Sequence, residues 1–220
     1  MKIIYLGHAA VLINTANKNI LIDPFITGNP NSKTKLDDLP KIDYILLTHG
    51  HGDHIGDTVE IAKKHNSMVV SNPEVCSFLK ELKTHAMNFG VFTFDFGKLK
   101  MVTASHTSSG PNNVYLGNPC GFVIMSEEKK VYHAGDTGLI SDMKLLEKEK
   151  IDLAILPIGG NYTMDIDDAI YAAGLINSKM VLPIHFNTFP VINVNASDLK
   201  RIFDAQIGAI EIEIGKSFNL

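Results

Sequence analysis

Arginine is almost missing from this chain of 220 residues: Arg201 is the only one, and the other basic residues are lysines. A nucleic-acid surface built on bidentate guanidinium contacts is therefore not expected. The balance of 20 Lys plus Arg against 24 Asp plus Glu gives a formal net charge of −4, a mild solubility charge that points neither to nucleic acid nor to an anionic membrane. Only two cysteines occur, Cys76 and Cys120, far apart and in no CxxC pattern. That excludes a disulfide framework and a thiolate zinc site, and leaves two buried thiols of a reducing compartment. No apolar run approaches the ~18 residues of a membrane-spanning helix. The opening "MKIIYLGHAAVLINTA" has the lysine of a signal peptide, but Gly7 and His8 break its apolar run early, so a β-hairpin fits better. A soluble cytoplasmic protein is expected, handling a small-molecule substrate and compatible with a homo-oligomer.

What is present is ordinary globular material, with 45% hydrophobic and 20% charged residues and enough length for a sizeable core in a single domain over 1–220. Short β-type runs, "KIIYL", "AVLIN", "NILID" and "DYILL", fill the first third, with a polar surface loop from Thr27 to Lys41 before the last of them. Helices are expected over 57–65, 72–82, 165–177 and 195–206. Asn72 caps the second ahead of Pro73, and Asp165 caps the third with Asp168 three residues on. Between them lie "SMVVS", "LKMVTAS", "GFVIMS", "KVYHAG", "IDLAILPI", "MVLPIH" and "IEIEI". Strands outnumber helices and several are apolar on both faces, which requires cover on both sides. The simplest solid is an α/β (α+β) four-layer αββα sandwich, two mixed β-sheets face to face with helices outside.

Residues 48–54, "THGHGDH", concentrate His49, His51, Asp53 and His54 directly after an apolar strand. Imidazole and carboxylate form the usual ligand set for zinc, manganese or iron. A histidine-rich polar turn is the plain alternative, but an HxHxDH pattern arises by chance in roughly one such chain in a thousand. Gly50 and Gly52 are expected to let the backbone fold tightly enough to aim alternate side chains at one point. Three distant residues sit where strands give way to loops: His106 after "MVTAS", Asp136 after "KVYHAG" and His185 after "MVLPI". Each alone is most simply a turn or cap residue. Together with the first cluster they are candidate ligands.

These motifs, with "LIDPF" at 21–25, "HAGDTG" around Asp136 and "PIHF" around His185, resemble the metallo-β-lactamase superfamily of metal-dependent hydrolases across essentially the whole chain. "GHAAVLI", "LPIGGNYTM" (156–164) and "PIHFNTFP" (183–190) are most similar to a group of small metal-dependent hydrolases near the ascorbate-6-phosphate lactonases. The resemblance implies that His49, His51 and His106 hold one divalent ion, that Asp53, His54 and His185 hold a second, and that Asp136 bridges them. It implies zinc first among the metals, with manganese, iron or nickel as alternatives. The implied reaction is hydrolysis of a small ester, lactone or phosphodiester by a bridging hydroxide, with Asp53 essential to catalysis. Histidine stands where diiron oxygen-reducing relatives place a carboxylate, which weighs against redox chemistry. A nuclease is the alternative within enzymes, disfavoured by the scarcity of arginine. A metal-binding protein without activity is the alternative outside them.

Further candidates have sharp and plain readings. His8 either donates a proton to a leaving group or is a hydrogen-bonded structural histidine. Asp23 either orients a metal-binding histidine, as the resemblance implies, or closes the turn before Pro24. His133 is expected as a supporting or core group and not a ligand. The glycine-rich stretch 107–119 is either a lid or a plain connection. Asn161 and Thr163 in "GGNYTM" and Thr188 in "NTFP" either reach the metals or shape their turns. His65 and His85 lie outside the motifs and read as surface or packing residues.

Overall fold

The computed structural model describes residues 1–220. The first sheet contains β1 (Lys2–Gly7), β2 (Ala10–Thr15), β3 (Lys18–Ile22), β4 (Tyr44–Leu46), then β5 (Met68–Ser71) and β6 (Thr84–Ala86). Between β4 and β5 run the short α1 (Gly52–Ile55) and α2 (Thr58–His65), and α3 (Pro73–Phe78) precedes β6. The second sheet contains β7 (Val91–Phe94), β8 (Gly97–Thr103), β9 (Cys120–Ser126), β10 (Lys129–His133), β11 (Leu153–Pro157) and β12 (Met180–Ile184). α4 (Ile166–Ile176) joins β11 to β12, and α5 (Ala196–Asp204) precedes β13 (Ser217–Asn219), which returns to the first sheet beside β1.

The sheet orders are β13-β1-β2-β3-β4-β5-β6 and β12-β11-β10-β9-β8-β7. Both are mixed. In each, an antiparallel meander (β1 to β3, and β7 to β10) passes into parallel strands. The two-residue alternation of a strand explains the layering. Ile20 and Ile22 of β3 point into the core between the sheets with Val11, Phe122, Ile124 and Ile155, while Leu21 points outward to meet Ile61 and Val75 of α2 and α3. On the other outer face Val123, Ala154 and Val181 pack on Ala172, Ala173 and Ile176 of α4. The expected αββα sandwich is therefore the fold, and no helix is long and apolar enough to cross a membrane.

Three local expectations change. "IEIEI" (210–214) is no strand. Ile210 N–H donates to Val181 O at the edge of the second sheet, and Gly215 N–H donates to Tyr5 O at the edge of the first, so the segment spans the seam between sheets and can ladder with neither. Its alternation still buries Ile212 and turns Glu211 and Glu213 to solvent. The helix expected over 72–82 stops at Phe78 because the chain must turn to lay β6 beside β5, although Asn72 caps it as expected, accepting from Val75 N–H at 2.8 Å. Residues 141–149 form a 3₁₀ helix, for which the sequence carries no cap of its own.

Glycine is required at one turn that positions the site. Gly56, which ends α1, has φ +42 and ψ −126, and a Cβ there would lie 2.3 Å from Pro24 O. Only glycine adopts that conformation without strain. Gly52, at the start of the same helix, meets nothing within 4 Å and has no positive φ. Gly56→Ala is expected to destabilise the fold by about 3 kcal/mol, and Gly52→Ala to change stability by no more than about 0.5 kcal/mol. Thermal melts of the two variants side by side check the contrast.

Candidate metal centre

The loops after β1, β3, β4, β8, β10 and β12 all open at one end of the sandwich, and they carry the histidines and aspartates. His49 follows β4 within a bend over residues 48–50, His51 is extended, and the single turn of α1 then presents Asp53 and His54. Gly50 is needed for a reason other than the one expected. It has no positive φ, but a Cβ there would sit 2.6 Å from Leu116 Cδ1, so its small size admits the 107–119 segment against the loop. Gly52 imposes nothing of the kind. The aim of the ligands thus comes from a bend over residues 48–50 running into a short helix, with no positive φ at Gly50 or Gly52.

Two groups of potential ligand atoms result, each confined within 4.8 Å: His49, His51 and His106 in one, and His8, Asp53, His54 and His185 in the other. His49 Nε2 and His51 Nδ1 face each other at 2.9 Å, within hydrogen-bond distance. A third group, His49, His54 and Asp136, overlaps both. Asp136 is the junction: its Oδ2 lies 3.0 Å from His185 Nε2, 3.3 Å from His54 Nε2 and 3.6 Å from His106 Nε2.

The surroundings fix the tautomers. Asp23 is fully buried, and its Oδ2 accepts from His54 Nδ1–H at 2.8 Å and from the Thr48 hydroxyl at 2.7 Å, while Oδ1 accepts from Thr48 N–H at 2.9 Å. With its hydrogen given to Asp23, Thr48 Oγ1 accepts from His49 Nδ1–H at 2.9 Å. One carboxylate therefore orients a histidine of each group, His54 directly and His49 through Thr48, and leaves both Nε2 atoms turned to the centre. Sequence alone does not mark Thr48 for this role, because a threonine before a loop carries no signal of its own.

Burial is the largest influence on His54 and disfavours its charge, but Asp136 and Asp23 on either side more than offset it and hold the imidazolium well above its usual range. Asp136 goes the opposite way: burial would raise it, and the charges of His54 and His185 carry it well below the usual carboxylate range. Burial lowers His49, His51 and His106 as bases, which keeps them neutral and available as ligands. A proton and a metal cation thus compete for His54 Nε2.

The donor set fits a metal. Asp136 Oδ1 is fully buried with no hydrogen-bond partner, at a cost of about 1–3 kcal/mol unless a cation or donor serves it, and His54 Nε2 meets only Asp136 Oδ2, at 3.3 Å and out of hydrogen-bond alignment. A third such atom, His185 Nδ1, has no partner that the structure explains.

The remaining candidates separate. His8 is buried and enters the site, with Nε2 3.1 Å from Asp53 Oδ2 and Nδ1 3.0 Å from Thr188 Oγ1, so it and Thr188 brace Asp53. His133 lies in the core: Nε2–H donates to Ala9 O at 3.0 Å and Nδ1 accepts from Gly135 N–H at 3.1 Å, tying the Asp136 turn to the β1–β2 turn. Asn161 is exposed in a left-handed turn and Thr163 donates to Met164 O, and neither has a hydrogen bond to the cluster. Their loop instead lies against β12, since a Cβ on Gly159 would come 2.3 Å from His185 O. His65 accepts from Ile42 N–H and His85 packs on Phe92 and Phe94. Residues 107–119 fold back on themselves and are pinned to the metal loop, Ser108 Oγ accepting from Gly50 N–H at 3.1 Å and donating to Leu116 O at 2.9 Å. His8, Asp23 and His185 all adopt positive φ, at 54°, 45° and 56°. Left-handed backbone is unusual for these residue types, so three residues of the site are held in a costly conformation.

Comparison with known proteins agrees with this geometry. A family profile described as beta-lactamase superfamily domain matches residues 2–185. The chain belongs to the metallo-β-lactamase superfamily. Among its relatives in the superfamily is a UPF0173 metal-dependent hydrolase of Bacillus cereus, 49% identical over all of both chains. Another, of the same description, comes from Flavobacterium johnsoniae and is 48% identical over all of both chains. A solved structure of Igni18, a metallo hydrolase from the archaeon Ignicoccus hospitalis, superposes with a TM-score of 0.90 at 34% identity, covering 100% of this chain and 98% of that one. The chain is thus a metal-dependent hydrolase of this superfamily. None of these three relatives is named for lactone cleavage, so the narrower likeness to the lactonases stays a matter of motif.

Proposed function

We propose that the centre is binuclear and cleaves a small ester, lactone or phosphodiester. The observation that carries this is Asp136 Oδ2, which stands within 3.0–3.6 Å of imidazoles drawn from both ligand groups. His49, His51 and His106 would hold one divalent ion, Asp53, His54 and His185 the other, and Asp136 both. Neutral imidazoles with two carboxylates suit zinc first, then manganese, iron or nickel. Two such ions supply Lewis acidity and a water acidified towards neutrality.

The chain's own residues do the rest. Asp23 and Thr48 hold His54 and His49 in the tautomers that present Nε2. His8, held by Thr188, steadies Asp53, whose side chain is 31% exposed and is the one carboxylate of the centre open to an incoming substrate. In this reading His8 acts through Asp53, which it holds from a fully buried position. Loop 107–119, whose Thr107 Oγ1 lies 3.4 Å from His51 Nε2, forms the opposite wall.

The test is turnover by zinc- and manganese-loaded protein on neutral esters, lactones, bis-aryl phosphodiesters and short RNA, with Asp53→Ala as the control. Hydrolysis of one small-molecule class, lost by about 10³-fold in Asp53→Ala, is the expected result. Two bound ions with no turnover on any class would remove the hydrolytic reading, and preferential cleavage of RNA would replace it with a nuclease.

A further inference from the structure

The two ends of the sandwich differ sharply in charge. At the end that holds the metal ligands, the chain passes through residues 7–9, 23–32, 47–57, 104–119, 134–140, 158–165 and 185–195, and no lysine or arginine occurs in any of them. At the opposite end, Lys18, Lys41, Lys129, Lys150 and Lys179 occupy the starts of strands or the turns before them. Lys18, Lys41 and Lys83 line a cavity there with His65 and Tyr44. Lys33, just beyond one of the uncharged segments, lies in a separate hollow with Ile4, Leu12 and Glu213.

Four of the ten exposed large apolar side chains lie on these segments. Val114 and Tyr115 of the 107–119 segment are 48% and 65% exposed, Tyr162 after β11 is 55% exposed, and Val191 after β12 is 56% exposed. Phe25 and Phe189 are half-buried, stack at 6.3 Å, and each meets the His8 ring edge-on, at 5.7 and 5.4 Å. The aromatic pair therefore flanks the histidine that braces Asp53. Recognition of a phosphate or carboxylate away from the metals calls for guanidinium or ammonium donors, and these loops supply none. Phe25 and Phe189 thus stand against a residue of the site, and Val114 and Tyr115 belong to the segment whose Thr107 reaches His51, so apolar side chains border it on two loops and favour an apolar ligand.

We infer that the substrate is an uncharged ester or lactone with an apolar substituent, seated against Phe25, Phe189 and the Val114–Tyr115 flap. The lack of cations on these loops weighs against phosphorylated sugars and nucleic acids. This rests on the hydrolytic reading and narrows it. The balance is that of simple hydrolysis: water adds across the acyl C–O bond, the acyl carbon keeps the new oxygen, and the alcohol oxygen leaves with a proton.

The experiment has a kinetic and a binding arm. Zinc-loaded protein is assayed with p-nitrophenyl octanoate and with p-nitrophenyl hemisuccinate, which differ in chain apolarity and charge. The neutral ester is expected to have the higher kcat/KM by at least about tenfold, and Phe189→Ala and Tyr115→Lys are each expected to reduce that ratio by about tenfold. Tyr115 is exposed, so its variant guards against a folding defect at Phe189. Equal or better turnover of the hemisuccinate, or an unchanged ratio in both variants, would overturn the inference. In the binding arm, calorimetry follows an alkyl-substituted δ-lactam, which resembles a lactone and resists hydrolysis. Wild type is expected to bind it about tenfold more tightly than Tyr115→Lys, and absence of binding overturns the inference. If neither ester turns over while the lactam binds, the hydrolytic reading fails and the apolar site stands.

Discussion

Replacing Asp136 by asparagine is expected to lower turnover by about 10³-fold or more and to reduce bound metal to one ion per chain or fewer. Asparagine keeps the shape of the side chain but removes the charge that faces three imidazole nitrogens at 3.0, 3.3 and 3.6 Å. No other carboxylate can take its place: Asp53 belongs to one group only, and Asp23 is committed to Thr48 and His54. In the metal-free protein the same substitution removes one of the two carboxylates that hold His54 protonated, so its imidazole moves back towards neutrality. Metal analysis by mass spectrometry, kinetics on whichever substrate class the wild type hydrolyses, and a thermal melt separate loss of the centre from loss of the fold. Retention of two ions with near-normal turnover would show that Asp136 is not the bridge.

The second large effect is expected at a residue that touches no metal in the proposed centre. Asp23→Ala leaves three buried groups without an acceptor: Thr48 N–H, the Thr48 hydroxyl and His54 Nδ1–H. At about 1–3 kcal/mol for each orphaned donor, a loss of about 4 kcal/mol in stability is expected, read from denaturant unfolding of the metal-free protein. Asp23→Asn is the more informative variant. Its amide oxygen can still accept from Thr48 N–H, but an amide nitrogen cannot accept from His54 Nδ1–H. His54 is then favoured with its proton on Nε2, the atom aimed at the metal. Metal affinity should fall about 10–100-fold while the fold survives, and because Thr48 loses its acceptor the effect reaches His49 as well. An Asp23→Asn protein with wild-type affinity at both positions would mean that tautomer control does not shape this centre.

The ligands were legible because their types are rare in combination and because each follows an apolar strand: His49 after β4, Asp136 after β10, His185 after β12. The supports were harder to see. Thr48 acts through a hydroxyl that any turn could contain, and His8 finds its partners 45 and 180 residues away, at Asp53 and Thr188, contacts that only the sheet topology creates. Glycine in "HGHGDH" is ambiguous in the sequence because a tight turn and a close neighbour both select it, and only the position of Leu116 reveals the close neighbour at Gly50. In the same way "IEIEI" has the period of a strand, but alternation records only that one side is buried. Ile212 is buried in the seam between sheets without a ladder partner. The four-layer sandwich itself was readable from strands apolar on both faces, which need cover on both sides.

The central claim is two ions on either side of Asp136. Anomalous diffraction at the zinc edge from crystals of the zinc-loaded protein tests it most directly. Two peaks are predicted about 3.5–4 Å apart, one among His49, His51 and His106, the other among Asp53, His54 and His185, with Asp136 Oδ2 between them. A single peak, or a second one outside these side chains, would contradict the binuclear centre.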